Sequence, residues 1–241
     1  MAFNPFHQFE IFPIIPLSVA GYDISFTNSA LFMVATVLVI VGFFYSATRH
    51  GSLVPGKMQS AAEVMFQFID NTLLESVGNK GRAFFPFVFT VFMFILVLNL
   101  FGMMPYSFTV TSHVIITFAI AATIFILVIL TGFIKHGVHF LSLFLPKGTP
   151  LWLAPILFLI ELLSFLSRPL SLSIRLAGNM LAGHVLLKVL ASFVIMMGIG
   201  GLFPIAFMMI MIGFEIFVAI LQAYIFTILT CVYLNDAINL H

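Results

Sequence analysis

Charge is what this sequence has least of. Among 241 residues there are nine Lys or Arg and eight Asp or Glu, 7% in all, where a soluble domain carries about a quarter. So little polar surface cannot cover a water-soluble globule. The near balance of the two signs, formally +1, argues against a nucleic-acid partner. A single cysteine, Cys231, excludes an internal disulfide and any cysteine-based metal cluster. No Lys or Arg precedes Arg49, so the basic opening region of a signal peptide is missing. There is no Gly-rich phosphate loop and no credible nucleophile–base set, which leaves neither a nucleotide site nor a soluble-style enzyme to look for. Strands alternating polar and apolar residues, the mark of a membrane β-barrel, are absent. No internal repeat is evident, and inverted-repeat transporters are built on one.

What is present is hydrocarbon. Hydrophobic residues make up 62% of the chain, 31 of them Phe, and the mean hydropathy is +1.23. Apolar runs of roughly 20 residues recur, the length that crosses a bilayer as a helix. The expected fold is an all-α integral membrane protein, one membrane domain over 1–241. It has about five membrane-embedded helices and one interfacial amphipathic helix, with the last two helices longer than the roughly 20 residues of an upright span, a length that agrees with a tilted path. Residues 1–28, with Pro5, Pro13 and Pro16, form an irregular lead-in. The first span is 29–47, ended by Arg49, His50, Gly51 and Pro55. Residues 57–78 hold Lys57, Glu63, Asp70 and Glu75, too polar to span. Their apolar positions 61, 62, 65, 66, 69, 73 and 77 fall at helical spacing, which predicts the interfacial helix. Spans two and three are 84–104, with Asn99 inside, and 113–134. The loop KHGVHFLSLFLPKGTP follows. A long helix then occupies 151–190, Gly198 to Pro204 make a turn, and a last helix occupies 204–236.

Orientation follows from the basic residues. Arg49, Lys57, Lys80 and Arg82 lie in one connection, and Lys135 and Lys147 in another. The lead-in and the 104–113 and 191–203 turns have none. The sets alternate, so the N-terminus is expected outside and the C-terminus inside. Lys188 breaks the pattern and would snorkel at the outer end of its helix.

The ionisable residues inside the oily runs are the functional signal. Glu161, Ser164, Arg168, Ser171, Arg175 and Asn179 step by 3, 4, 3, 4 and 4, one polar stripe along a helix. On the last helix Glu215 and Gln222 are seven apart, and Tyr233 and Asp236 continue roughly that face. A charge at the bilayer centre costs about 2.5–3.5 kcal/mol on insertion scales, so such seams face protein or water. Glu161 and Arg168 fit simple pairing as well as function. Arg175 does not, because no acid lies three or four residues away and a guanidinium cannot shed its proton. It is placed for a carboxylate on another subunit. His184 and Glu215 are expected to pair across the two helices, a couple suited to passing protons.

These residues carry a family resemblance. SLSIRLAGNMLAGH (171–184), preceded by SRPL, and GFEIFVAILQAYIFTILTCVYLNDA (213–237) resemble the last two helices of subunit a of the rotary F-type ATP synthase. NPFHQFEI (4–11) and LNLFGMMPY (98–106) resemble its alphaproteobacterial and mitochondrial branch. The resemblance implies a proton-conducting stator beside a rotating ring of c subunits, held by peripheral-stalk b subunits in the lipid bilayer. It implies no cofactor, metal, nucleic acid or bound nucleotide, the ATP chemistry lying on other subunits. Arg175 matches the essential arginine that faces the ring carboxylate, and Gln222 the glutamine opposite it. Asn179, His184 and Glu215 match the outer half-channel. Glu161, Ser171, Tyr233 and Asp236 match the inner one. The implied location is a bacterial inner membrane before a mitochondrial one. Other readings stay open on the residues alone. A self-contained channel or transporter and a structural scaffold both fit polar seams. A haem subunit would need facing His pairs inside spans, whereas His136 and His139 lie in a loop, His113 at a span edge, and only His184 is deep.

Overall fold

A computed structural model describes residues 9–16, 18–19, 22–23, 25–49, 51–52, 54–104, 107–144 and 153–239. The first eight residues, Pro105, Tyr106, Lys147 and its neighbouring loop breakers lie outside them. Six α-helices follow one another. α1 is Asn28–Thr48, α2 Lys57–Val77, α3 Phe85–Gly102, α4 Val114–His136, α5 Ala154–Met197 and α6 Leu202–Ile238. Five helical segments, all but α2, are long and apolar enough to cross a membrane, and the molecule is an all-α integral membrane protein.

The described part of the lead-in is more ordered than a string of prolines leads one to expect. β1 (Pro13–Ile15) pairs antiparallel with β4 (Phe26–Thr27), and between them β2 (Ser18–Val19) pairs with β3 (Tyr22–Asp23). Pro13 sits at the start of its strand, where a missing N–H costs no ladder bond. Thr27 then caps α1, its Oγ1 accepting from the Ala30 N–H at 3.4 Å.

Helix ends follow local chemistry. α2 stops at Gly78, whose φ of 76° suits glycine alone at little cost. α5 runs on to Met197, past Pro169, Gly178 and Gly183, and gives way at Gly198 to a 3-10 turn holding three glycines. α6 begins two residues before Pro204, which therefore sits in the first turn, where its lost donor had no helical partner anyway. Pro169 lies within one continuous helix. A 3-10 turn over Gly198–Gly201 folds α6 back along α5. A side chain at Gly201 would meet the Val194 carbonyl at 2.8 Å, so the reversal needs glycine there.

At 1.5 Å per residue, α5 is about 66 Å long and α6 about 55 Å, against a hydrocarbon core of roughly 30 Å. α3, α4, α5 and the apolar face of α2 pack around α6. Ile69 and Leu73 from α2, Ile95 from α3, Leu176 from α5, and Phe226 and Leu234 from α6 are fully enclosed in one core. α1 stays at the edge, with Leu38 and Val41 exposed.

Candidate functional site

The polar residues of α5 and α6 separate into three groups along the helix pair. The first is the couple of His184 and Glu215. Both are buried, at 8% and 5% exposure, and His184 Nδ1 lies 2.8 Å from Glu215 Oε1. The distance is that of an ion pair, but the alignment is not that of a hydrogen bond: both Glu215 oxygens and His184 Nε2 lack hydrogen-bond partners among the described residues. Two ionisable groups held this close, with acceptor sites left over, can take up and hand on a proton.

Glycine makes the couple possible. A Cβ at Gly183 would stand 2.7 Å from Glu215 Oε1 and 2.9 Å from its Cδ. The sequence reading missed Gly183. Its signal was a glycine inside a helix, which costs about 1 kcal/mol relative to alanine and calls for a packing reason.

A cleft of about 450 Å³ opens beside the couple. Asn179 and Gly183 on α5 and Glu215 and Gln222 on α6 line it. Gln222 is 3% exposed, and its Oε1 has no hydrogen-bond partner among the described residues. Midway between Glu215 and Gln222, the Ala219 carbonyl accepts a 3.2 Å bond from Asn99 Nδ2 of α3. Asn99 is wholly buried, with Oδ1 unpartnered. Its place in an apolar span was legible, but not its attachment to the polar seam of α6.

The second group is Arg175 with Ser171. Both are exposed, on the side of α5 turned away from its packed face of Leu172, Leu176 and Met180. Arg175 lies one helical turn from Asn179 but outside the cleft lining. It makes no hydrogen bond or ion pair with any described residue. The polar stripe therefore divides: Asn179 borders the cleft, while Arg175 and Ser171 face outwards.

The third group gathers round Arg168. Its Nη1 is 3.4 Å from Asp236 Oδ2 and its Nη2 4.0 Å from Glu161 Oε1. Its guanidinium also lies over the rings of Tyr233 and Phe165, at 5.1 and 5.3 Å. Glu161, Tyr233 and Asp236, predicted from two separate helices, thus meet at one arginine. Further on, His136 Nε2 lies 3.2 Å from the Ile238 carbonyl at the end of α6, where a cationic or donating group suits the helix terminus. At the opposite end of α5, Phe9 stacks near His184 at 6.4 Å, and the Lys188 ammonium lies 5.9 Å from the same ring.

Long apolar helices that enclose a His–Glu couple and turn a lone arginine outwards define the class: a multi-pass membrane protein equipped to handle an ion. The sequence matches the family model described as ATP synthase A chain over residues 30–235. The chain belongs to that family, and so is a component of the ATP synthase membrane sector, engaged in proton transport and ATP synthesis.

Proposed function

We propose that this chain is the proton-conducting stator of the ATP synthase, with Arg175 facing the carboxylates of a rotating ring of c subunits between two offset half-channels. The observation that carries the reading is Arg175 itself: a permanently charged side chain on an apolar helix, exposed, and without an anionic partner among the described residues. A carboxylate brought alongside by another subunit completes it. The guanidinium would favour the ionised carboxylate, promote proton release, and bar direct leakage from one half-channel to the other.

The two remaining groups supply the paths. The cleft bordered by Asn179, with Glu215 in its wall and His184 paired to Glu215 behind it, is the outer half-channel. Glu161, Ser171, Tyr233 and Asp236 belong to the inner one, where Arg168 holds the two carboxylates and the Tyr233 ring. Gln222, about 10 Å along α6 from Glu215 at 1.5 Å per residue, adjusts the field at the ring surface without adding charge. Peripheral-stalk b subunits hold the stator still, and the whole complex is the translocase. The basic connections support an N-terminus outside and a C-terminus inside a bacterial inner membrane. NPFHQFEI (4–11) and LNLFGMMPY (98–106) favour the alphaproteobacterial and mitochondrial branch.

The test is ATP-driven proton uptake into sealed vesicles holding the assembled complex. Arg175→Ala is expected to abolish uptake while the complex stays assembled. Coupled pumping that survives this change removes Arg175 from the ion path and leaves the seams a packing device.

A further inference from the structure

α1, α2 and α3 enclose a groove far from the ion-handling residues. Its wider part, about 630 Å³, falls within the size range of ligand pockets, roughly 300–1,000 Å³. Its walls are Phe44, Phe66, Phe85 and Phe89. These rings brace one another: Phe44–Phe89 at 5.3 Å, Phe66–Phe85 at 4.4 Å and Phe85–Phe89 at 5.5 Å between centroids. The oily walls are therefore packed before anything enters.

A second cavity of about 350 Å³ adjoins the first and shares Ala47 and Gln59 with it. Here the lining changes to Ser46, Ser52, Gly56 and Lys57. Gln59 stands at the junction. Its Oε1 accepts from the Ser52 N–H and its Nε2 donates to the Ser52 carbonyl, both at 3.2 Å, while Nε2 also donates to Glu63 Oε1 at 2.8 Å. The described part of the connection between α1 and α2 is thus tied down across the mouth, and Glu63, held by a neutral amide, keeps its negative charge. Lys57 is exposed and enters no ion pair with a described residue. Arg49, at the end of α1, adds a second positive charge and is propped on the Tyr45 ring at 5.9 Å.

An occupant must satisfy an aromatic trough and, with Lys57 and Arg49 against the single charge of Glu63, an excess of positive charge at its mouth. A free anion would leave the trough bare. A zwitterionic phospholipid would bring a cation of its own beside the phosphate, and an apolar helix of another subunit would leave Lys57 unanswered. We infer that this groove is a binding site for an anionic phospholipid, with an acyl chain between the four Phe rings and the phosphate at Lys57.

The experiment uses the assembled complex in nanodiscs of equal phosphatidylglycerol and phosphatidylcholine, with a benzophenone side chain replacing Phe66. Mass spectrometry identifies what the photolysed probe captures. In the otherwise native chain, phosphatidylglycerol adducts should exceed phosphatidylcholine adducts. Lys57→Gln should reduce that preference about fivefold, since one basic residue near an anionic surface contributes about 1 kcal/mol. Gly51→Leu should lower both adducts. Gly51 borders the groove, and a Cβ there meets nothing closer than the Thr48 carbonyl at 3.8 Å, so this variant fills space without forcing the backbone. Equal capture of the two lipids, an unchanged preference in Lys57→Gln, or capture of a polypeptide in place of lipid would each overturn the assignment.

Discussion

Single atoms decide the character of the His184–Glu215 couple. The carboxyl of Glu215 occupies the space a methyl group would take at Gly183, 2.7 Å from its Oε1. Gly183→Ala must therefore displace the carboxyl or spread the helices, and overpacking of this kind costs about 1–3 kcal/mol. The expected outcome is an assembled complex with proton uptake reduced tenfold or more. Gly42→Ala serves as the control, because a Cβ there meets nothing within 4 Å; it should pump normally. Equal uptake in both variants would mean that the carboxyl position does not matter. Gln222 poses the opposite case. Its buried Oε1 has no hydrogen-bond partner among the described residues, and an unsatisfied acceptor costs stability that an apolar side chain does not. Gln222→Leu should consequently leave thermal stability unchanged or slightly higher while turnover falls without vanishing. A drop in both would mark Gln222 as a packing residue, and an unchanged rate would remove it from the site.

Among elements, α6 is the common partner, and its polar seam is positioned by neighbours on every side. Asn99 of α3 holds the backbone of α6 between Glu215 and Gln222 by one bond to the Ala219 carbonyl. That carbonyl also has its own helical donor, so losing the side-chain bond leaves no orphan. Asn99→Leu is expected to lower stability by only about 1 kcal/mol. Asn99→Asp is far worse, because it sets a carboxylate against a carbonyl oxygen within a span, where a charge alone costs about 2.5–3.5 kcal/mol. Thermal unfolding of the detergent-solubilised complex, with the amount of chain reaching the membrane, checks the order. Similar behaviour of the two variants would show that Asn99 reaches water or a cation. Arg168 makes the corresponding link lower on the helix pair, from α5 to Asp236. Its pair is a quarter to a third exposed, so the ion pairing itself contributes no more than about 1 kcal/mol, with the Tyr233 and Phe165 rings adding to it.

The whole molecule is unfinished without its surroundings. Its accessible surface is 14598 Å², whereas a compact soluble chain of 26.8 kDa exposes about 10,800 Å² by the usual scaling. Much of the excess is Leu, Ile, Val, Met and Phe on α1, α5 and α6, which only lipid or other subunits can cover. The basic connections set how this body lies in the bilayer. In a Cys231→Ser background, Lys57→Cys should react with an impermeant maleimide in inside-out vesicles, and Gly200→Cys in right-side-out vesicles. Reversed labelling would invert the orientation.

Much of this architecture was legible in the chain because a bilayer is a demanding solvent. Every backbone group must be bonded within its own segment, so apolar length alone pointed to five helices able to cross. Scarce charge made each ionisable residue conspicuous, Arg175 most of all, since helical spacing already excluded a local acid. Spacing along one helix, however, tells which side chains share a face and not which helix lies opposite. It could not say that Arg168 reaches Asp236 as well as Glu161, that Asn99 is bonded to α6, or that Gly183 is empty so that Glu215 can fill it. Nor could it divide the polar stripe of α5, which reads as continuous at 100° per residue. Packing of α6 against α5 encloses His184 and leaves Arg175 outside, 180° further round the same helix at that spacing. Those contacts join residues up to 120 positions apart, and only the tertiary fold brings such distances to zero.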